Sequence, residues 1–319
     1  MDRILFGDNQ FFGVNHLSEE KARAQAIKFK DIASIMRVLD SAYDLGIRVF
    51  MCTTHDRAGE IADIVRENPR RYPDFHFYPC MPYAHKYANS VGEVGIIETI
   101  RRFAPGGIVE TLIKGGISLV TQDLEKLMKL LVDTEMKRFA GVKTPVVFIQ
   151  NVVTDLLLGL KLHDMFAAFA RHIREKYGAE AGFITMNLPM LVDALERVGI
   201  QNPIVCANIN KIGFRMSGGV EAYRDLLRSG RCRAIAMSIF ASGAIPPQEA
   251  IEWVCGLEGL HAIVFGASSA GNIRQSKELI ERAWGLGQPR GAEATNPDGD
   301  SSRRMRATEG EGSKRCASE

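Results

Sequence analysis

Three side chains in this sequence have types and positions suited to moving protons. His55 and Asp56 are adjacent within the polar segment 52–57, and Asp8 follows the short apolar run 4–7. Because histidine titrates near neutral pH, His55 is predicted to exchange a proton with a substrate, with Asp56 beside it. The alternative is that Asp56 caps the next helix and His55 is solvated. Asp8 could orient a proton carrier, or it could only satisfy backbone donors in the first turn.

A second group of residues, GASSAGN at 266–272, is suited to binding an anion. The small side chains of Gly266, Ser268 and Ser269 let backbone N–H groups approach a ligand closely. The segment joins a predicted strand to a predicted helix, and the helix N-terminus carries partial positive charge. Asn272 and Arg274 lie in the first turns of that helix, so the segment is suited to binding a phosphate. The alternative is an ordinary tight turn with a serine cap.

These residues are positioned by an alternation of short apolar runs and helical segments. The pattern repeats about eight times before the composition changes near residue 285, which predicts an α/β fold of the (β/α)8 TIM-barrel class. No GxGxxG follows the first strand, which disfavours an open dinucleotide-binding sheet. The predicted strands are 4–7, 47–51, 75–80, 144–150, 183–186, 204–207, 234–237 and 262–265.

The predicted barrel occupies residues 1–285 and has two irregular parts. The stretch 93–140 reads as helical but is broken by two glycine pairs, which predicts a long helical insertion after the third strand. Residues 286–319 have almost no large apolar side chain, so we expect a disordered tail.

The amino-acid composition indicates which classes of binding partner to expect. The formal net charge is +2 and 46% of the residues are hydrophobic, which disfavours nucleic acid as a partner. No secretion signal or membrane-spanning run is evident, so we expect a cytoplasmic protein with no membrane partner. The six cysteines form no CxxC pair, and we predict no metal site. A small-molecule substrate is the expected partner, and the oligomeric state is left open.

Polar residues follow nearly every predicted strand. In a TIM barrel these positions meet at the carboxyl ends of the strands, where the active site lies. Amides and hydroxyls outnumber carboxylates here, which suits a polar neutral or anionic small molecule better than a divalent cation. A soft metal site built from Cys52, Cys80, Cys206 and His55 is a less favoured alternative to buried structural thiols.

Several segments resemble the aldo-keto reductase superfamily, whose members are (β/α)8 enzymes that use NADP(H). The stretch 236–243, AMSIFASG, is similar to the seventh-strand motif AYSPLGxG, and 245–276 is similar to the following helix and phosphate loop. The resemblance implies NADP binding, with Asn187 at the nicotinamide amide, Ser238 after the seventh strand, and the segment 266–274 at the phosphates. The stretch 182–210 also resembles the family's G-x-S-N strand and helix, and FGDNQFFG near the start and 44–65 are similar to its N-terminal patterns.

The resemblance fails at the catalytic tetrad of Asp, Tyr, Lys and His. Those places correspond here to Met51, to His55 or Asp56, to Cys80 or Met81, and to Asn151. We therefore predict an NADP(H)-binding oxidoreductase that acts on a small polar metabolite with a non-standard proton donor. The alternatives are a non-redox barrel enzyme, such as an isomerase, lyase or hydrolase acting on a phosphorylated or sugar-like metabolite, and a non-catalytic sensor.

Overall fold

The computed structural model describes residues 1–12, 19–82 and 117–286. Eight parallel strands pair in sequence order and close into a barrel, which confirms the predicted (β/α)8 fold. The strands are β1 (Ile4–Gly7), β2 (Val49–Thr53), β3 (His76–Met81), β4 (Val146–Ile149), β5 (Glu180–Thr185), β6 (Ile204–Asn208), β7 (Arg233–Met237) and β8 (Leu260–Phe265).

Helices of the described part follow the strands around the outside of the barrel. They are α1 (Glu19–Lys28), α2 (Ile32–Asp44), α3 (Asp56–Glu67), α4 (Ile117–Met136), α5 (Asn151–Gly159), α6 (Asp164–Tyr177), α7 (Leu188–Arg197), α8 (Gly219–Arg228), α9 (Pro247–Cys255) and α10 (Ala270–Ala283). No helix in these ranges is both long and apolar enough to cross a bilayer.

Alternating side chains on each strand pack into two different buried clusters. Leu5, Val49 and Met51 belong to one buried cluster, which fills the barrel interior. Their chain neighbours Phe6 and Phe50 belong to a second cluster that includes the buried faces of the helices. Because both faces of the sheet are covered, the central residues of the strands are mostly apolar, as in other parallel sheets.

Only β1 keeps its predicted bounds, and the strands that differ most from theirs are β2 and β5. β2 was expected at 47–51 but runs Val49–Thr53, because Thr53 still pairs with Cys80 of β3. β5 was expected at 183–186 but begins at Glu180, which pairs with Val146 of β4. Ladder pairing therefore extends these strands into polar residues that the apolar runs do not include.

Two helices were not predicted. α1 lies in a polar segment, and its Ile27 is 74% exposed, so the helix lacks the apolar stripe that marks an amphipathic helix. α5 follows β4 directly and has apolar residues all round, so its sequence shows no helical period. Neither helix could be predicted, because neither sequence repeats apolar residues with a period of 3.6.

The predicted insertion and tail are described only in part. α4 (Ile117–Met136) forms the helical end of the insertion, and residues 83–116 lie outside the described ranges. Contacts place Met1–Leu286 in one compact unit. The predicted disorder of the tail concerns residues that, apart from Leu286, also lie outside the described ranges.

Candidate functional site

A cavity of about 960 Å³ opens at the carboxyl ends of the strands. Every strand contributes to its wall at or near its last residue, as the barrel topology requires. The contributing residues include Asp8, Thr53, Cys80, Gln150, Met186, Asn208, Ser238 and Gly266. Asp8, Ser238 and Gly266 are thus the predicted site residues that the structure brings to this cavity.

Carboxamides dominate the polar part of the cavity wall. Among the described lining residues, Asp8 is the one carboxylate and Arg215 is the one strong base. Such a wall is rich in groups that both donate and accept hydrogen bonds, which suits a polar, largely uncharged ligand. The carboxamides are those of Asn9, Gln10, Gln25, Gln150, Asn151 and Asn208.

Asp8 follows the last residue of β1 and is 6% exposed. Its Oδ2 accepts two hydrogen bonds from Thr53, one from the backbone N–H and one from Oγ1, both at 2.7 Å. Burial raises the pKa of Asp8, and the bonds from Thr53 oppose that effect more weakly. The structure therefore holds a carboxyl group with increased proton affinity in the cavity wall.

His55 and Asp56 do not line this cavity. His55 is the N-cap of α3, where its Nδ1 accepts the N–H of Arg57 at 3.0 Å. Its ring stacks on Phe12, which does line the cavity, with centroids 4.4 Å apart. Burial lowers the pKa of His55, which keeps the ring neutral. Asp56 is exposed and forms an ion pair with Arg138 at 2.8 Å.

Replacing His55 by alanine is expected to destabilise the protein by about 1 kcal/mol, since an N-cap bond and a ring contact are lost. Thermal or urea unfolding measures the change. His55→Ser keeps a capping acceptor and serves as the matched control, with most of the stability retained. Equal stability of the alanine variant and the wild type would contradict this assignment of His55 to the cap.

The predicted anion loop has the expected connection to a helix. Ser269 is the N-cap of α10, and its Oγ accepts the N–H of Asn272 at 3.3 Å. Arg274 is exposed one turn into α10. Lys28, which sequence reasoning missed, donates from Nζ to the carbonyl oxygen of Ser268 at 2.6 Å. A lysine 240 residues away gives no local sequence signal for this contact.

Gly266 has a role that its loop motif did not reveal. Its φ angle lies outside the left-handed region, so backbone conformation does not require glycine. A Cβ at this position would instead lie 2.0 Å from Oε1 of Gln10. Nε2 of Gln10 donates to the carbonyl oxygen of Gly7 at 2.7 Å. Glycine therefore makes room for a buried carboxamide where β1 and β8 meet.

Asn187 and Ser238, the other predicted cofactor residues, occupy different settings. Asn187 is the N-cap of α7, and its side chain accepts the N–H of Met190 at 3.3 Å. Ser238 lines the cavity with φ of 55°, and Ala241 and Ser242 in the same loop also have positive φ. These residues adopt a sparsely populated backbone conformation in the loop after β7.

The barrel thiols do not form the alternative metal site. Cys80 and Cys206 line the cavity, but no group of three or more His, Cys, Asp or Glu side chains in the described ranges is placed to hold a metal. Burial raises the pKa of Cys80 well above its usual value, so this thiol is poorly suited to act as a thiolate.

Comparison with known proteins supports the fold. The sequence matches no protein-family model and no curated protein. Among solved structures, the barrel is similar to a Bombyx mori aldo-keto reductase in complex with NADP, with a TM-score of 0.53, 8% identity, and coverage of 90% of this chain and 89% of that one.

Two further solved structures resemble the chain. An aldo-keto reductase from a Medee basin deep-sea metagenome library has a TM-score of 0.52 at 10% identity, covering 93% of this chain and 96% of that one. The aldose reductase of Giardia lamblia has a TM-score of 0.50 at 11% identity, covering 89% and 90%. At these identities the similarity establishes a shared barrel fold.

Proposed function

We propose that this protein is a diverged oxidoreductase of the aldo-keto reductase type, which uses NADP(H) to interconvert a carbonyl and an alcohol on a small polar metabolite. One observation carries the proposal: Asp8, a buried carboxyl with a raised pKa, and Gly266, the first residue of the anion loop, line the same cavity. The proposed proton donor and the proposed phosphate loop thus follow the neighbouring strands β1 and β8.

The donor set of the loop fits the phosphates of a dinucleotide. The N-terminus of α10, the hydroxyls of Ser268 and Ser269, and the cations of Arg274 and Lys28 all favour an anion. Asn187 and Ser238 are proposed to hold the nicotinamide end. When bound, NADPH supplies a hydride to the carbonyl carbon.

Asp8 supplies the proton in this proposal. The carboxyl group donates its proton to the carbonyl oxygen as the alcohol forms, and solvent then reprotonates the carboxylate. Asp8 is preferred to His55 because burial raises the pKa of the carboxyl and lowers that of the imidazole. Only the first change favours the proton-bearing form near neutral pH.

A thermal-shift titration tests cofactor binding. NADPH at 100 times its Kd should stabilise the protein by about 2.7 kcal/mol, which raises the unfolding temperature by several degrees. NADH, inorganic phosphate and a sugar-phosphate panel are the comparison ligands. Stabilisation by sugar phosphates with no effect of NADPH would overturn the proposal in favour of a non-redox barrel enzyme.

A further inference from the structure

The chain leaves β5 at Thr185 and passes through residues 186–188 into α7. Met186 lines the cavity, and Asn187 is the N-cap of α7. Oδ1 of Asn187 accepts the N–H of Met190, so the Nδ2 amide is the part of this side chain that remains for a ligand. The direction in which that amide points depends on the backbone of residues 186–188.

Asp155, on α5, bonds to the first part of this segment. Its Oδ2 accepts the N–H of Met186 at 3.1 Å, and its Oδ1 accepts the hydroxyl of Thr185 at 2.5 Å. The oxygen of the same hydroxyl accepts the N–H of Asn187 at 2.8 Å. Thr185 is fully buried, so water does not compete for these bonds. Because its one proton goes to Asp155, the hydroxyl presents a lone pair to Asn187.

Tyr223, on α8, bonds to the second part of the segment. Its hydroxyl accepts the N–H of Leu188 at 3.1 Å and donates to the carbonyl oxygen of Met186 at 2.8 Å. Tyr223 is also fully buried. The N–H of Ser217 donates to the same carbonyl oxygen at 2.9 Å. Each of the three N–H groups of residues 186–188 is thus bonded to a side chain.

The pair of Asp155 and Thr185 repeats an arrangement found at Asp8 and Thr53. In both pairs, a carboxyl group accepts the hydroxyl of the threonine that ends a strand, together with a backbone N–H. In both pairs, burial raises the pKa of the carboxyl. Thr53 and Met186 line the cavity, so each carboxyl bonds to a strand end that contributes to the cavity wall. Asp155 does not line the cavity and therefore acts through the residues to which it bonds.

We propose that Asp155 is a positioning residue for the nicotinamide end of the cofactor. Through Thr185 and the N–H of Met186, its carboxylate sets the direction in which Asn187 presents its side-chain amide, the donor for the carboxamide oxygen of nicotinamide. The inference rests on the proposed function for the identity of the cofactor. The network itself depends only on the contacts of residues 155, 185 and 186–188.

Hydrogen exchange of the protein alone tests the network. Asp155→Asn leaves one acceptor oxygen in place of two, so the amides of residues 186–188 should exchange about three- to tenfold faster. Thr185→Val removes the hydroxyl but keeps the shape of the side chain, and should have a similar effect. Asp164→Asn removes an exposed charge from the first turn of α6 and should leave these amides unchanged. Unchanged exchange in Asp155→Asn, or the same acceleration in Asp164→Asn, would overturn the positioning role.

Binding of NADPH and of ADP-ribose 2′-phosphate, which is the cofactor without its nicotinamide, tests the consequence for the ligand. Asp155→Asn and Thr185→Val should raise the Kd for NADPH by about three- to tenfold and leave the Kd for ADP-ribose 2′-phosphate unchanged. A purely structural defect would change both affinities together. Thr185→Ser keeps the hydroxyl and should bind NADPH like the wild type. The double variant should bind NADPH about as weakly as either single variant, since both substitutions break one network.

The two ligands separate this inference from the proposed function. In a wild type that binds NADPH, equal losses for the two ligands, or no loss in either single variant, would overturn the role of Asp155 alone. Binding of neither ligand by the wild type would overturn the proposed function, and the cofactor role of Asp155 with it.

Discussion

Asp8→Asn is expected to lower kcat for carbonyl reduction by about 10²- to 10⁴-fold, the range associated with loss of a general acid. The asparagine carboxamide keeps an oxygen that can accept both bonds from Thr53, which are 2.7 Å long in the wild type. The carboxamide is too weak an acid to transfer a proton to the carbonyl oxygen of the substrate. NADPH binding should be unchanged, since Asp8 is not part of the anion loop. Steady-state kinetics and a binding titration measure the two quantities.

The stability of Asp8→Asn separates a catalytic loss from a folding defect. The pKa of Asp8 is raised in the folded protein, so folding favours the protonated form. The wild type therefore loses stability as the pH rises from about 3.8 through the raised pKa, and the full loss is present above it. Asparagine carries no charge, so the variant should unfold at a temperature no lower than that of the wild type at pH 7. A large drop in unfolding temperature would show that the activity loss is structural.

Arg274→Met is expected to raise the Kd for NADPH by about 10- to 100-fold, because a hydrogen bond to a charged group is lost. Arg274 is exposed one turn into α10 and does not line the cavity, so the substitution should leave kcat at saturating NADPH nearly unchanged. Fluorescence titration with NADPH measures the affinity.

Arg274→Lys is the matched control for this prediction. Lysine keeps the charge but lacks the planar fork that binds two phosphate oxygens at once, so an intermediate Kd is expected. The effect should also shrink as salt is added, since the residue is exposed. An unchanged Kd in Arg274→Met would remove Arg274 from the proposed phosphate contacts.

The barrel could be predicted from the sequence because each strand is covered on both faces. Runs such as 204–207 are apolar along their length, and few folds other than a barrel show eight alternations of strand and helix. Strand ends were less predictable, as Thr53 and Glu180 show, because they depend on pairing with a neighbour.

The cavity residues that could be predicted from the sequence are those that directly follow a strand. Asp8, Ser238 and Gly266 directly follow strands, and barrel topology brings them to one cavity. Gln25 and Lys28 come from a helix with no amphipathic pattern, and only the folded chain places them beside the cavity and Ser268. His55 shows the converse. Its residue type is suited to catalysis, but it caps α3, and its ring contacts Phe12 of the cavity wall without lining the cavity itself.

The pH dependence of kcat/KM for NADPH-dependent carbonyl reduction, compared among the wild type, Thr53→Val and Asp8→Asn, tests most directly whether Asp8 is the proton donor. Reduction by the wild type should fall as the pH rises through the pKa of Asp8. Thr53→Val removes a hydroxyl that lowers this pKa, so the fall should move to higher pH. Asp8→Asn should show a low rate without that fall. The same pH profile in all three proteins would contradict the assignment of Asp8 as the proton donor.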